Sequence, residues 1–340
     1  MKILILGAGA VGGYFGGRLV EHLQQHEEVD LEVTFLVRSE RSQQILKDGL
    51  MLQNPDGSIT KISPVVTIPS DDAPSEKENL RSEFDVIVLA CKSYGLDGAL
   101  DAIAPYVHSN VALLPLLNGM AHIEMIQHRF PSATVWGGTC GIVATLDSNS
   151  GVIQRMTPSQ FVRAGLMEIK KSEDEEAKAV VMTLMRHWKD AGIDAEVSDD
   201  ILQTMWDKWT FLATAAASTC LMSASLGQIL STDYGQEFLL AVYQECNAVA
   251  TADGGIQADL DGRQARYRHI FSDKTSIIKA SMCRDMESGG PTEADHILGD
   301  MIQRATKHGI PTPLIKTAYI KLQIHEAQRQ VVATTGTNDK

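Results

Sequence analysis

Apolar positions come in short runs through the first half of this chain and recur at helical spacing through the second. Met1–Leu6 is an apolar run of the kind a buried parallel strand shows. A helix is predicted over Gly13–Gln25 and a second strand over Leu31–Val37. The polar stretch Asp71–Glu83 reads as a surface loop or a short exposed helix. Phe84–Cys91 is a predicted buried strand, Asp97–Val107 a helix, Asn110–Leu117 a strand and Thr134–Ile142 another. Strands alternating with helices to about residue 165 predict a parallel, doubly wound sheet.

From Ser172 the period becomes helical. Helices are predicted over Glu173–Ala191, from a cap at Asp199 or Asp200 through Ser223, and over Asp233–Asp253, Ala258–Phe271, Thr292–His308 and Pro311–Arg329. The expected fold class is α/β: an N-terminal Rossmann-type doubly wound parallel sheet over 1–170, then a C-terminal all-α domain over 171–330. Residues 331–340 read as a polar, frayed tail.

The join between first strand and first helix carries Gly7-Ala8-Gly9-Ala10-Val11-Gly12, which fits G-x-G-x-x-G. Gly7 permits the tight turn, Gly9 lets a pyrophosphate approach the backbone, and Gly12 lets helix and sheet pack closely. The helix N-terminus would aim free N–H groups at that phosphate. Strand before, helix after and second strand following supply the context the motif requires. Its alternative is a glycine-rich helix start with no ligand.

The second strand ends Phe35-Leu36-Val37-Arg38-Ser39-Glu40-Arg41. Arg38 stands where an NAD site carries an acid for the ribose 2′-hydroxyl, and Arg41 follows. A guanidinium can hold a 2′-phosphate in bidentate fashion, so the expected cofactor is NADPH/NADP+. The structural reading of Arg38 is a solvated strand end, and Glu40 can pair with either arginine.

At 340 residues, two domains are expected; 44% hydrophobic and 21% charged residues are ordinary for a globular protein. A net charge of −13 disfavours nucleic acid and anionic membrane as partners. Five cysteines, none spaced C-x-x-C, read as reduced thiols of a cytoplasmic protein. Of the ten histidines only His22 and His26 stand at H-x-x-x-H spacing, and no H-E-x-x-H occurs, so no metal is expected. The apolar N-terminus runs straight into the glycine loop and reads as a strand, not a signal peptide. Trp209–Leu226 reads as a buried helix, not a membrane span. A homodimer is among the assemblies such a chain permits.

Ligands of open α/β sheets lie beyond the carboxyl ends of the strands, which directs attention to Lys92-Ser93 and Asn118-Gly119. Lys92 could reach cofactor phosphate or ribose, or be a solvated loop lysine. Asn118 offers donor and acceptor to a nicotinamide ribose or substrate hydroxyl, or is a turn residue. Lys208 lies among aromatics in Met205-Trp206-Asp207-Lys208-Trp209-Thr210-Phe211. Its stem could simply cover aromatic surface; alternatively its amine points into a cleft between domains, where partial desolvation readies it to donate a proton. Thr292-Glu293-Ala294-Asp295 reads as a helix cap with acids in the first turn, or as a carboxylate, Glu293, facing that cleft.

Taken together, the glycine loop, Arg38, Lys92 in Ala90-Cys91-Lys92-Ser93, Asn118 in Leu117-Asn118-Gly119-Met120, Lys208 in Trp206-Asp207-Lys208, Ser281 with Asp285, and Glu293 make the chain resemble the 2-dehydropantoate 2-reductase (ketopantoate reductase) family over nearly its whole length. The resemblance implies NADPH-dependent reduction of 2-dehydropantoate to pantoate, with Lys208 as catalytic proton donor; the alternatives are a reductase of another small 2-keto acid and a non-catalytic NADPH-binding sensor. It implies cofactor contacts from Gly7, Ala8, Gly9, Ala10, Val11, Gly12, Arg38, Lys92, Asn118 and Glu293. Asn118, Lys208, Ser281 and Asp285 would contact the substrate.

One departure stands out. Leu212, Ala216 and Leu226 occupy positions where that family commonly has asparagines that hold the substrate. Thr210, Thr214 or Ser218 could supply those hydrogen bonds instead. Losing polar groups that bond a substrate hydroxyl can change the substrate.

Overall fold

The computed structural model describes residues 1–26, 28–63, 65–70, 84–167, 175–254 and 269–335. The expected loop Asp71–Glu83, the start of the helix at Ser172-Glu173, most of the expected helix Ala258–Phe271 and the last five residues lie outside them. The chain divides into two compact units: Met1–Leu117 with His122–Thr204, and Asn118–Ala121 with Met205–Lys340.

The first unit begins as the apolar runs require. Strand β1 (Lys2–Leu6) leads through the glycine loop into helix α1 (Gly12–Gln25), followed by β2 (Glu32–Val37) and α2 (Ser39–Asp48). Next come β3 (Leu50–Gln53), β4 (Ile59–Ile62), β5 (Val66–Pro69), β6 (Val86–Leu89), α3 (Leu96–Ile103), β7 (Ala112–Pro115) and α4 (Ala121–Arg129). Two long strands, β8 (Thr134–Leu146) and β9 (Val152–Leu166), precede α5 (Glu175–Asp190) and β10 (Asp194–Val197). Strands β5-β2-β1-β6-β7-β8 are parallel in that order, the doubly wound arrangement expected.

Beyond β8 the sheet departs from a purely parallel one. β9 returns antiparallel to β8, β3 and β10 pair with β9, and β4 closes the far side antiparallel to β3. Among the described residues, ten strands form this mixed sheet. The unit also runs past the expected boundary at 170. Helix α5 buries Leu184, Met185 and Trp188 in the same core as α1, and Trp188 Nε1 donates to the Phe15 carbonyl at 3.2 Å. Apolar burial of this kind binds α5 to the sheet unit.

The helical unit contains most of α6 (Ile201–Met222), then α7 (Leu226–Leu230), α8 (Gly235–Gly254), α9 (Ser281–Glu287), a π turn at Asp295–Gly299, α10 (Asp300–Lys307) and α11 (Pro313–Thr335). Of the two candidate caps, Asp200 does the work: its Oδ1 accepts from Gln203 N at 3.0 Å. Helix α11 continues through Thr335, so residues 331–335 of the expected frayed tail are helical, and its remainder lies outside the described residues.

Arg304 fastens the helical unit. Its guanidinium lies over Trp206 and Trp209 and bonds Asp253 on α8 (2.6 Å) and Asp300 (2.9 Å). Burial alone would raise the Asp253 carboxyl, but hydrogen bonds from Arg304, His308 and Lys307 hold it at about 2.

Candidate active site

Tight backbone approach shapes the glycine loop. Gly7 has φ +94°, the left-handed region that glycine enters freely, and its N–H donates to the Leu36 carbonyl at 2.9 Å. A Cβ on Gly12 would stand 2.2 Å from the Gly7 carbonyl oxygen and 2.8 Å from the Ala90 Cβ. Gly9 differs: a Cβ there would meet nothing within 4 Å. Sheet and helix therefore use Gly12, while Gly9 opens onto vacant space where an anion could approach the main chain. Helix α1 has no side-chain cap and no acid in its first turn. Room, partial positive charge and an unshielded backbone all fit a dinucleotide pyrophosphate.

Arg38 is exposed at the end of β2, on the N-cap of α2. Arg41, which the sequence offered only as a follower, is built into the loop. Its Nε donates to the Ala8 carbonyl (3.2 Å), and its Nη1 donates to Gln44 Oε1 (2.6 Å) and to the Gly151 carbonyl in the β8–β9 turn (3.2 Å). Its Nη2 is buried without a hydrogen-bond partner, and burial lowers its proton affinity. Arg41 thus braces the glycine loop from below. Lys92 is exposed two residues past Ala90, whose N–H donates to Leu6, so β6 delivers it beside the loop.

A second cluster lies in the helical unit. Lys208, half-buried on α6, donates from Nζ to Asn118 Oδ1 at 3.0 Å, joining residues 90 apart in sequence. Asn118 and Gly119 fold onto His296: the His296 ring bonds the Asn118 backbone carbonyl, and Gly119, at φ +84°, sits so close that a Cβ would be 3.0 Å from the His296 carbonyl oxygen. The sequence reading missed His296; its spacing of three from Glu293 on a helical segment was the available signal. Burial lowers the His296 pKa, against the opposing pull of the Glu293 charge and the Asn118 carbonyl.

Glu293 is 6% exposed, not a solvated first-turn acid. The expected cap at Thr292 is not formed: its N–H and hydroxyl both donate to Glu326 on α11, at 2.7 and 2.8 Å, because that carboxylate is the stronger acceptor within reach. Ser281 and Asp285 stand one turn apart on α9, both half-buried. The start of α9 is tied to Thr219 of α6 through Ala280 N and Cys283 Sγ. That anchor lies eleven residues beyond Lys208, about three turns along the helix.

The candidate substitute hydroxyls are buried. Thr210, Thr214 and Ser218 are 3%, 0% and 0% exposed, and Thr214 donates to the Thr210 carbonyl at 2.8 Å. They pack α6 against its neighbours. Leu226 is part of an apolar cluster with Tyr243 and Phe271, Ala216 is buried, and Leu212 is half-buried one turn past Lys208.

A family model described as ketopantoate reductase PanE/ApbA matches residues 3–168, and its C-terminal counterpart matches residues 200–326. The chain belongs to the ketopantoate reductase family. An uncharacterized oxidoreductase of Bacillus subtilis is 32% identical over 331 residues, covering 97% of this chain and 100% of that one. A 2-dehydropantoate 2-reductase of Nostoc sp. is 24% identical, covering 97% and 96%. Among solved structures, a D-mandelate dehydrogenase with NADH and anilino(oxo)acetate superposes with a TM-score of 0.80 at 23% identity, over 97% of this chain and 100% of that one. A 2-dehydropantoate 2-reductase from Methylococcus capsulatus gives 0.78 at 21%, over 97% and 98%. This family membership makes the protein an oxidoreductase with the ketopantoate reductase fold. Among the described residues, no helix is long and apolar enough to cross a membrane.

Proposed function

We propose that this protein is an NADPH-dependent reductase of a small 2-keto acid, with 2-dehydropantoate as the first substrate to test. The observation that carries the reading is the Lys208–Asn118 contact, which sets an amine against an amide carbonyl at the sequence positions where the family resemblance expects an acid and a ligand contact.

NADPH, when bound, supplies the hydride. The glycine loop and the α1 N-terminus would hold its pyrophosphate, Arg38 its 2′-phosphate, and Lys92 a phosphate or ribose. Asn118 keeps the Lys208 amine directed. While protonated, the Lys208 ammonium stabilises the carbonyl oxygen as it takes up negative charge, by roughly 3–4 kcal/mol, the worth of one well-placed donor; it then gives that oxygen a proton, leaving a hydroxyl and a neutral amine. Glu293 and Asn118 supply further polar contacts to cofactor, and Ser281 with Asp285 to substrate. All five cysteines are free thiols, in keeping with a reducing compartment such as the cytoplasm.

A second substrate reading has its own support. With Leu212, Ala216 and Leu226 apolar, and the nearby hydroxyls buried, fewer groups are left to bond a substrate hydroxyl. A 2-keto acid with an apolar side chain then becomes the better fit. Steady-state NADPH oxidation with 2-dehydropantoate, branched aliphatic and aryl 2-keto acids separates the two. Turnover highest on 2-dehydropantoate supports the first, and turnover confined to apolar acids the second. Binding of NADPH with no turnover on any of them removes catalysis and leaves a cofactor-binding sensor.

A further inference from the structure

We propose that His296 is a positioning residue for the Lys208 amine and acts through Asn118. The inference rests on reading Lys208 as the proton donor.

Asn118 is held at two points. Its backbone carbonyl bonds the His296 ring, and its side-chain carbonyl accepts from Lys208 Nζ at 3.0 Å. Gly119 removes what slack remains. Any side chain there would meet the His296 carbonyl oxygen at 3.0 Å and the ring Cδ2 at 3.1 Å, so residues 118 and 119 lie flat against 296. A parallel link stands one residue further along both partners: Trp209 Nε1 donates to the Ile297 carbonyl at 3.2 Å. These two links fix the register of α6 against the π turn Asp295–Gly299. Single π turns are common at functional sites, where they re-aim a side chain.

The ring has the chemistry this role needs. Glu293, three residues before it, and Arg304 on α10 are the charges acting on it, and burial outweighs the Glu293 pull, so the imidazole is mainly neutral at pH 7. A neutral ring has a single N–H, and the Asn118 carbonyl takes it. With that bond in place the Asn118 backbone cannot turn, and its Oδ1 stays where the Lys208 amine needs an acceptor. A hydrogen bond accepted from the ammonium favours the charged form, so losing it lowers the amine pKa.

Reductive ¹³C-methylation of the full-length, cofactor-free chain gives the direct test, because it keeps the lysine charge and one N–H. The Lys208 resonance is assigned by its loss in Lys208→Arg. His296→Phe and His296→Leu each remove the donor, so one remains readable if the other fails to fold. Either should lower the Lys208 pKa by about 0.5–1 unit, roughly half of what full loss of one charge-assisted hydrogen bond would give. His296→Gln, which keeps an N–H, should restore most of that shift. In an Asn118→Ala background, His296→Phe should add nothing. Turnover in His296→Phe should drop about tenfold.

An unmoved Lys208 titration in a folded His296 variant overturns the proposal, and so does a further shift in the Asn118→Ala background. If Lys208→Ala turns over normally while these titration shifts persist, the reading of Lys208 as the acid falls and the positioning stands.

Discussion

Arg41 Nε donates to the Ala8 carbonyl at 3.2 Å, so one of the two arginines after β2 is committed to the glycine loop itself. Arg38, three residues earlier, faces solvent. Two residues of equal charge therefore do separate work. Arg38→Ala should narrow the preference for NADPH over NADH by at least tenfold, about 1.4 kcal/mol, while leaving NADH affinity unchanged. Arg41→Ala should weaken both cofactors alike and lower the melting temperature. Fluorescence titration with each nucleotide checks this; equal affinity of the unmutated protein for both would refute the role of Arg38.

Within the glycine loop, Gly12 and Gly9 predict opposite outcomes for the same substitution. Gly12→Ala drives a Cβ to 2.2 Å from the Gly7 oxygen and should cost roughly 1–3 kcal/mol of stability, the usual range for overpacking. Gly9→Ala points its methyl into open space and should leave the melting temperature within a degree or two while cutting nucleotide affinity severely. A Gly9→Ala protein that binds nucleotide normally would remove the loop from the cofactor site.

Lys208→Ala should lower turnover by about 10²–10⁴, the usual worth of a positioned acid, with folding and NADPH binding nearly intact. The pH–rate profile should lose its alkaline limb, since that limb reports loss of the lysine proton. Near-normal kcat together with a lower melting point would instead mark Lys208 as packing for Trp206 and Trp209.

Asp253 predicts acid behaviour. Its carboxyl sits at about 2 in the folded protein, against 3.8 for a free one. A depressed carboxylate contributes stability that is complete above the unfolded value and is lost as pH falls through the folded value. Asp253→Asn should therefore lower stability at pH 7 by about 1.5–3 kcal/mol, and the gap to the parent should close between pH 4 and pH 2. Thermal melts over that range measure it; a constant gap would detach the effect from ionisation.

The sheet half of the fold was legible because its signals are local. A strand, a glycine turn and a helix stand consecutively from Lys2 to Gln25, and each carries its own residue preference. Strand β9 was not legible. Val152–Leu166 contains Pro158, which argues against a strand, and it alternates only weakly. The structure accommodates the proline where the β8–β9 register jumps, between Ile142 opposite Gln160 and Ala144 opposite Arg155, so Pro158 owes the ladder no hydrogen bond. Lys208, Asn118 and Glu293 were legible as candidates, but His296 and the geometry that joins them were not. That Asn118 carries Lys208 on its side chain and His296 on its backbone depends on contacts 90 and 178 residues apart, which no window of sequence contains.

The four residues Asn118–Ala121 leave the sheet unit at Leu117, join the helical unit, and hand the chain back at His122. The two halves consequently cannot be exchanged between relatives by one crossover in the gene. A hybrid joined at Thr204 inherits the amide from one parent and the amine and imidazole that surround it from the other. Recombination that respects the architecture moves this tetrapeptide together with everything after Thr204.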